Sequence, residues 1–256
     1  MPAFNYSLVA DIYDRYVTTD VDVPFFREEL RGVTGRVIEL MCGTGRLSLP
    51  LLQAGFSLTC VDSSPEMLSL LRKKLTHSGL SAEVVEQDVT ALSLSGPYAL
   101  ALIPFNSFLE ITAKADQLAT LVSIRRCLAS TGRLIVTLHN PTVRLKRVDG
   151  LSHPIGRFPL DDRGSTFVLR TSEQYDGASE LVMGQQVFEA SDRDGRALWK
   201  RTIDISFRLV SRQQFQDLAV QAGFGLEGVF GDYDRSPFMD ATSPFMIWSL
   251  RNWWPD

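Results

Sequence analysis

Nowhere in the 256 residues does an apolar run reach the ~20 residues that a bilayer-spanning helix needs. The first residues, Met-Pro-Ala-Phe-Asn-Tyr-Ser-Leu-Val-Ala-Asp, lack a basic start and a long apolar stretch, so no secretory leader is expected. These absences predict a chain with no membrane contact and a cytoplasmic location. Cysteine is scarce. Cys42, Cys60 and Cys127 are odd in number and far apart, which argues against a disulfide framework and against a C-x-x-C metal site. Cys42 and Cys60 lie in apolar strand-end segments and read as small buried hydrophobes. Charge of one sign is missing too: 26 Lys and Arg stand against 30 Asp and Glu, a net charge of −4. The densest basic stretches, Arg72-Lys73-Lys74 and Arg144 to Arg147, read as a solvated helix face or loop, and nucleic-acid binding is disfavoured. His77 and His153 show no partner pattern, and no metal is assigned.

What is present suits a globular α/β chain. Apolar residues make up 45% and charged residues 22%, which allows a proper core. Leu8 to Tyr16 has helical apolar spacing, with Ser7 as its N-cap. Pro24 starts a short helix over Phe25 to Leu30, ended by Gly32 and Gly35. The period then shortens. Arg36 to Leu40 is a strand running into a glycine-rich turn, and a helix over Leu47 to Gln53 ends at Gly55. Phe56 to Asp62 is the second strand. Ser64-Pro65 caps a helix that runs to about His77, with Gly79 closing it. Ala82 to Glu86, Tyr98 to Ile103 and Arg133 to Leu138 are further strands, and Asp116 to Leu128 is a helix. Five alternations of strand and helix predict a parallel sheet covered on both faces.

After Asn140-Pro141 the rhythm breaks. Thr166 to Tyr175, Leu181 to Glu189 and Leu198 to Leu209 read as an antiparallel meander, turned by Asp176-Gly177 and Asp194-Gly195. Ser211 and Gln214 form a capping box for a helix ending near Gly223. Strands over Leu226 to Gly231 and Phe245 to Leu250 follow. Trp248, Trp253 and Trp254 read as packing for the last strand and tail.

The chemistry lies in Glu39-Leu40-Met41-Cys42-Gly43-Thr44-Gly45, a strand, a glycine turn and a helix start. Such a turn makes a nucleotide site. A dinucleotide fold wants G-x-G-x-x-G, yet Gly43-Thr44-Gly45 is followed by Arg46, Leu47 and Ser48, so the third glycine is absent. Glu39 beside the turn repels a pyrophosphate and suits a cationic amino-acid moiety. Asp62 closes the second strand, where a carboxylate can accept from both ribose hydroxyls. Asp88 follows the third, where it can accept from an adenine amino group. Three acids at successive strand ends fit S-adenosylmethionine, which has an ammonium, a sulfonium and no phosphate.

On these residues the chain resembles the class I S-adenosylmethionine-dependent methyltransferases. The resemblance is carried by Tyr13-Asp14, the acid-rich stretch Asp20 to Phe25, E-x-x-C-G-T-G-R over Glu39 to Arg46 and V-D-x-S-P-E-M-L over Val61 to Leu68. It continues through Gln87-Asp88, I-P-F-N-S-F over Ile103 to Phe108, and G-D-Y-D-x-S-P-F over Gly231 to Phe238. It implies a Rossmann-like, seven-stranded, mostly parallel sheet with helices on both faces plus an antiparallel β-meander insertion. Residues 1–143 and 205–256 would form the cofactor domain, and 144–204 a substrate cap or homodimer interface. It also implies cofactor-binding roles for Glu39, Cys42, Gly43, Thr44, Gly45, Asp62, Ser63, Met67, Asp88, Val89 and Phe105. Phe105 and Asn106 would line the transfer site.

A sulfonium already activates its methyl group, so orientation and a dry site can supply much of the rate. His139, at the functional sheet edge, is the candidate general base; its alternative is to bond a loop or fill a wall. Tyr13 covers the cofactor or serves as a core aromatic. Asn106 touches substrate or caps the next helix. Tyr233 and Asp234 face the pocket or shape a turn. The expected acceptor is the nitrogen or oxygen of a small molecule. A macromolecular acceptor, tRNA, rRNA or a protein side chain, is the alternative, although the N/D-P-P-Y pattern of nucleic-acid amino methylation is replaced by Ile-Pro-Phe-Asn-Ser-Phe. A nicotinamide oxidoreductase lacks its third glycine here, and a non-catalytic binder of the same cofactor stands as a further reading.

Overall fold

A computed structural model describes residues 5–252. The first strand, β1 (Arg36–Leu40), is buried over four of its five residues, as a strand covered on both faces must be. β2 (Leu58–Asp62) and β4 (Tyr98–Ile103) flank it in parallel, Glu39 pairing with Cys60 on one side and Leu102 on the other. β3 (Glu83–Glu86) adds beyond β2, and β5 (Leu128–His139) beyond β4. β11 (Phe245–Asn252) lies antiparallel on β5, and β10 (Phe224–Phe230) antiparallel on β11. The order is β10-β11-β5-β4-β1-β2-β3. Chain direction of growth reverses between β1 and β4, and ligands of open α/β sheets bind outside the carboxyl ends of the strands at such a point.

Between the strands run α3 (Ser48–Gln53), α4 (Pro65–Ser78) and α5 (Lys114–Cys127). Local chemistry starts and stops them. The Ser64 hydroxyl accepts from the Met67 N–H, Pro65 occupies the first turn, and Gly79 ends α4 at φ 64°. α7 (Arg212–Gln221) opens with the full capping box: Gln214 N–H donates to Ser211 Oγ at 3.2 Å and Ser211 N–H to Gln214 Oε1 at 2.7 Å.

The N-terminal helix begins later than its apolar spacing predicts. α1 spans Ala10–Tyr16 after a 3₁₀ turn over Tyr6–Leu8, its cap is Val9, and Ser7 makes no cap bond. Ser7 Oγ donates instead to Asn5 Oδ1. α2 (Val23–Leu30) follows. Helix α5 passes straight into β5, which starts at Leu128 instead of Arg133; the register with β4 slips between Tyr98 and Leu100. Trp248 is buried in β11; Trp253 and Trp254 lie outside the described residues.

The antiparallel part has four strands, one more than the turns and pattern predict: β6 (Ser152–Pro159), β7 (Thr166–Asp176), β8 (Leu181–Ser191) and β9 (Ala197–Arg208), in that order. One face alternates inward. Phe167, Leu169, Phe188, Ala190, Ile203 and Ile205 are buried and enclose Val9 and Ile12 of the N-terminal segment. Short α6 (Pro141–Arg144), capped by Asn140, links β5 to this sheet.

Candidate active site

Above the carboxyl ends of β1, β2, β3 and β4 lies a cavity of about 670 Å³, within the range of small-molecule sites. Its floor is the turn after β1. Met41 and Gly43 both have positive φ, 56° and 55°, and an added Cβ on Gly43 would meet nothing within 4 Å. Gly45 has a different constraint: its φ is 83° and a Cβ there would come within 2.4 Å of Leu71 Cδ1, so α4 packs directly on the turn.

Asp62 ties this turn to the next strand. Its Oδ2 accepts from the Gly43 N–H at 2.8 Å and its Oδ1 from the Ser64 N–H at 2.9 Å. The carboxylate therefore organises the floor while lining the cavity. Burial raises its pKa, opposed by the backbone N–H groups of Ser64 and Gly43. Asp88 stays exposed, accepts from Thr90 N–H and lines the far end beside Val89. Ser63 and Met67 complete that side.

The other side is aromatic and comes from two elements. The Tyr6 and Tyr13 rings meet edge to face at 5.6 Å, and Tyr13 meets Tyr16 at 5.5 Å. Tyr6 Oη donates to Glu110 Oε1 at 2.8 Å from 104 residues away. Burial pushes the Glu110 carboxyl up to about 8, the Tyr6 hydroxyl pulling against it and Asp62 adding repulsion. Phe105 stands at the rim with φ 58°. The Arg46 guanidinium lies 4.4 Å from its ring centroid and is held in place by Asp22 through two 2.6 Å bonds. Asp22 is 1% exposed, so this pair is a buried ionic clamp on the turn after β4.

The lining residues include five carboxylates, Asp62, Glu66, Asp88, Glu110 and Asp116, and no Lys, Arg or His among the described residues. Such a wall repels a pyrophosphate and favours a cation.

Among the anticipated residues, Gly43, Asp62, Ser63, Met67, Asp88, Val89, Phe105 and Tyr13 line this cavity. Glu39 does not. It is 1% exposed and accepts from Ser48 Oγ at 2.6 Å, which places it under the turn at the start of α3; burial raises its pKa. Cys42 is buried, with its N–H bonded to Val61 O. Thr44 is buried and donates to Asp14 Oδ1, and Gly45 bonds back to Cys42 O; these three shape the turn from behind. Asn106 takes a left-handed backbone, φ 63°, and heads the 3₁₀ turn Ser107–Glu110 without a side-chain cap bond; it lines neither this cavity nor the one beside β5.

His139 requires a correction as the proton acceptor. It lines the separate cavity beside β5, stacked on Phe245 at 5.9 Å. Burial, then Arg144 and Arg147, push its pKa down to about 3, so it is a weak base, and it lies outside the acidic cavity. Tyr233 packs against Phe25 and Phe245, and Asp234 accepts from Ser236 N–H; both shape structure away from the acidic cavity. Sequence reasoning missed Tyr6 and Glu110. The only local signal for Glu110 is an acid two residues beyond Ile103 to Phe108.

Comparison with known proteins bears on the domain and the fold. Residues 37–132 match the family described as methyltransferase domain. The chain carries that domain over these residues and is an enzyme. Over 222 residues it is 26% identical to the cypemycin N-terminal methyltransferase of Streptomyces sp, covering 85% of this chain and 84% of the relative. Its fold is that of a Rossmann-like methyltransferase. It is similar to a crystal structure of an S-adenosylmethionine-dependent methyltransferase from Clostridium acetobutylicum ATCC 824, with TM-score 0.79 and 19% identity over 96% and 98% of the two chains. It is similar also to the sugar N-methyltransferase KedS8 from Streptoalloteichus sp ATCC 53650, with TM-score 0.70 and 17% identity over 95% and 92%.

Proposed function

We propose that this enzyme transfers the methyl group of S-adenosylmethionine to a nitrogen or oxygen of a small-molecule acceptor. The observation that carries the reading is the cavity at the β1–β4 switch point, walled by five carboxylates with no basic side chain among the described residues. The residues present fit this cofactor. Asp62 would accept from the ribose, Met67 and Val89 would pack on the adenine, and Asp88 would accept at the adenine edge. The open space at Gly43 would admit the amino-acid end, with Ser63 beside it. Glu39, Cys42, Thr44 and Gly45 act by fixing the turn. When bound, the cofactor supplies a sulfonium-activated methyl group.

The chain's own residues supply the rest. Tyr6, Tyr13 and Phe105 exclude water from the end opposite Asp88 and present ring faces that suit a cation. Glu110 keeps its proton up to about pH 8, so it takes a proton from an acceptor as the pH rises toward that value. A carboxylate among tyrosines favours an amine over an alcohol. The names of the cypemycin N-terminal and sugar N-methyltransferases support nitrogen as well. The former also supports a second reading, in which the acceptor amine belongs to a peptide.

Calorimetry tests the cofactor. S-adenosylmethionine is expected to bind and NADH is not; absence of the first would overturn the proposal. A screen of cell metabolites and short peptides for cofactor-dependent gain of one methyl mass then reads the acceptor class, and label confined to RNA would refute it.

A further inference from the structure

The second cavity, about 590 Å³, lies beside the end of β5, between α6 with its following turn and the β6–β7 edge. Its back wall is apolar and aromatic: Phe245 and the stacked His139 ring, with Val143, Pro244 and the half-exposed Ile155. The imidazole is neutral, held so by burial and two neighbouring guanidiniums, and behaves as a flat heterocycle.

Charge around the mouth is not balanced internally. Arg144 is satisfied by Glu173 and lies over the Phe207 ring. Asp149 is engaged by His153 at 2.9 Å and by the Leu151 N–H. Lys146 and Arg147, both exposed on this wall, make no ion pair or hydrogen bond among the described residues. On β7, which also lines the cavity, Thr171 Oγ1 is shielded from solvent and has no hydrogen-bond partner. An aromatic wall and two cations without partners among the described residues form a recognition set for a flat anion.

We propose that this cavity is a second binding site, for an organic anion with a ring that stacks on Phe245 and His139 and an acidic group that sits at Lys146 and Arg147. The site does not depend on the cofactor reading, since it shares no wall with the acidic cavity.

Phenyl phosphate is the probe, titrated into the full-length protein by calorimetry, with inorganic phosphate and phenol as its two halves. Phenyl phosphate is expected to bind at least tenfold more tightly than either half. The double variant Lys146→Glu/Arg147→Glu is expected to weaken it at least tenfold. Both positions are exposed, so folding is expected to survive; Lys146→Gln/Arg147→Gln repeats the test without charge reversal. Ile155→Glu, on the apolar wall, should also weaken the ring's contact. S-adenosylmethionine binding, measured on the same samples, should not change. Phenyl phosphate binding no tighter than inorganic phosphate, or insensitive to both double variants, would overturn the proposal. Once an acceptor is known, competition by phenyl phosphate against it identifies the anion as part of the acceptor, and inhibition without competition identifies a separate effector.

Discussion

The two cavities flank the carboxyl ends of one sheet and carry opposite charge. That over β1 to β4 presents five acids and no base among the described residues. That beside β5 presents Arg144, Lys146 and Arg147 against Asp149 and Glu173. The paired ends of β4 and β5, Ile103 against Val136, are all that separates them in the sheet. The contrast teaches that the sheet supplies position and the loops supply sign. A cationic ligand and an anionic one are sorted to neighbouring seats by side chains that lie mostly at strand ends and in the loops beyond them.

The largest effect should come from the clamp at the rim of the acidic seat. Asp22→Ala leaves Arg46 buried without its partner, a change worth about 3–5 kcal/mol of stability. Denaturant unfolding should show it, and a loss under 1 kcal/mol would mean that solvent reaches Arg46.

Glu110→Gln removes the acid of that seat whose pKa burial pushes up to about 8. The rate with an amine acceptor should fall about 10²-fold, the low end for lost proton transfer, and lose its rise toward pH 8. Stability offers a second readout. The folded Glu110 keeps its proton up to about pH 8, while the unfolded chain gives it up near 4.5. Its contribution is thus full below 4.5 and lost as pH rises through 8, and the variant should escape that alkaline loss. An unchanged rate profile would exclude Glu110 as the proton acceptor.

Asp62→Ala should weaken S-adenosylmethionine by about 1–3 kcal/mol, since the Gly43 and Ser64 N–H groups lose their acceptor along with the ribose. Phenyl phosphate affinity should stay put. A parallel loss at both seats would mean that the cavities do not act separately.

His139→Phe gives the smallest change. Folded His139 stays neutral down to about pH 3, while the unfolded chain gains a proton near 6.5. Its contribution is full above 6.5 and drains away as pH falls toward 3. The phenylalanine variant should unfold at slightly lower pH and keep its methyl-transfer rate. A collapse of that rate would restore His139 to the reaction.

Much of the fold was legible because strong local rules agree with it. β4 has the span its apolar run predicts, and α4 and α7 start at their capping serines. β6 was not legible. Ser152–Pro159 contains Pro154, Gly156 and Pro159, which read as loop, and only an edge position tolerates them. Ser7 fails as a cap because it lies inside the 3₁₀ turn Tyr6–Leu8, and α1 begins only at Ala10, after Val9.

In the cavity wall, Asp62 and Asp88 could be placed because one ends its strand and the other lies two residues beyond its strand. Glu39 misled. It sits one residue inside β1, paired on both flanks by β2 and β4, and its side chain accepts from Ser48 under the turn. Glu110 gains its meaning from Tyr6, and a pairing across 104 residues leaves no local trace.

One feature of the fold bears on how fast the enzyme can turn over. The N-terminal helix that brings Tyr13 to the acidic cavity is not a loose flap. Val9 and Ile12 are 0% and 2% exposed inside the antiparallel sheet, and Arg201 grips Asp11 with both Nη atoms. Peeling that segment away would uncover both apolar side chains, at roughly 1.5–3 kcal/mol each. A ligand of the acidic cavity thus lies against a wall anchored on a second sheet, and its residence time should depend on that sheet's grip as well as on its own contacts.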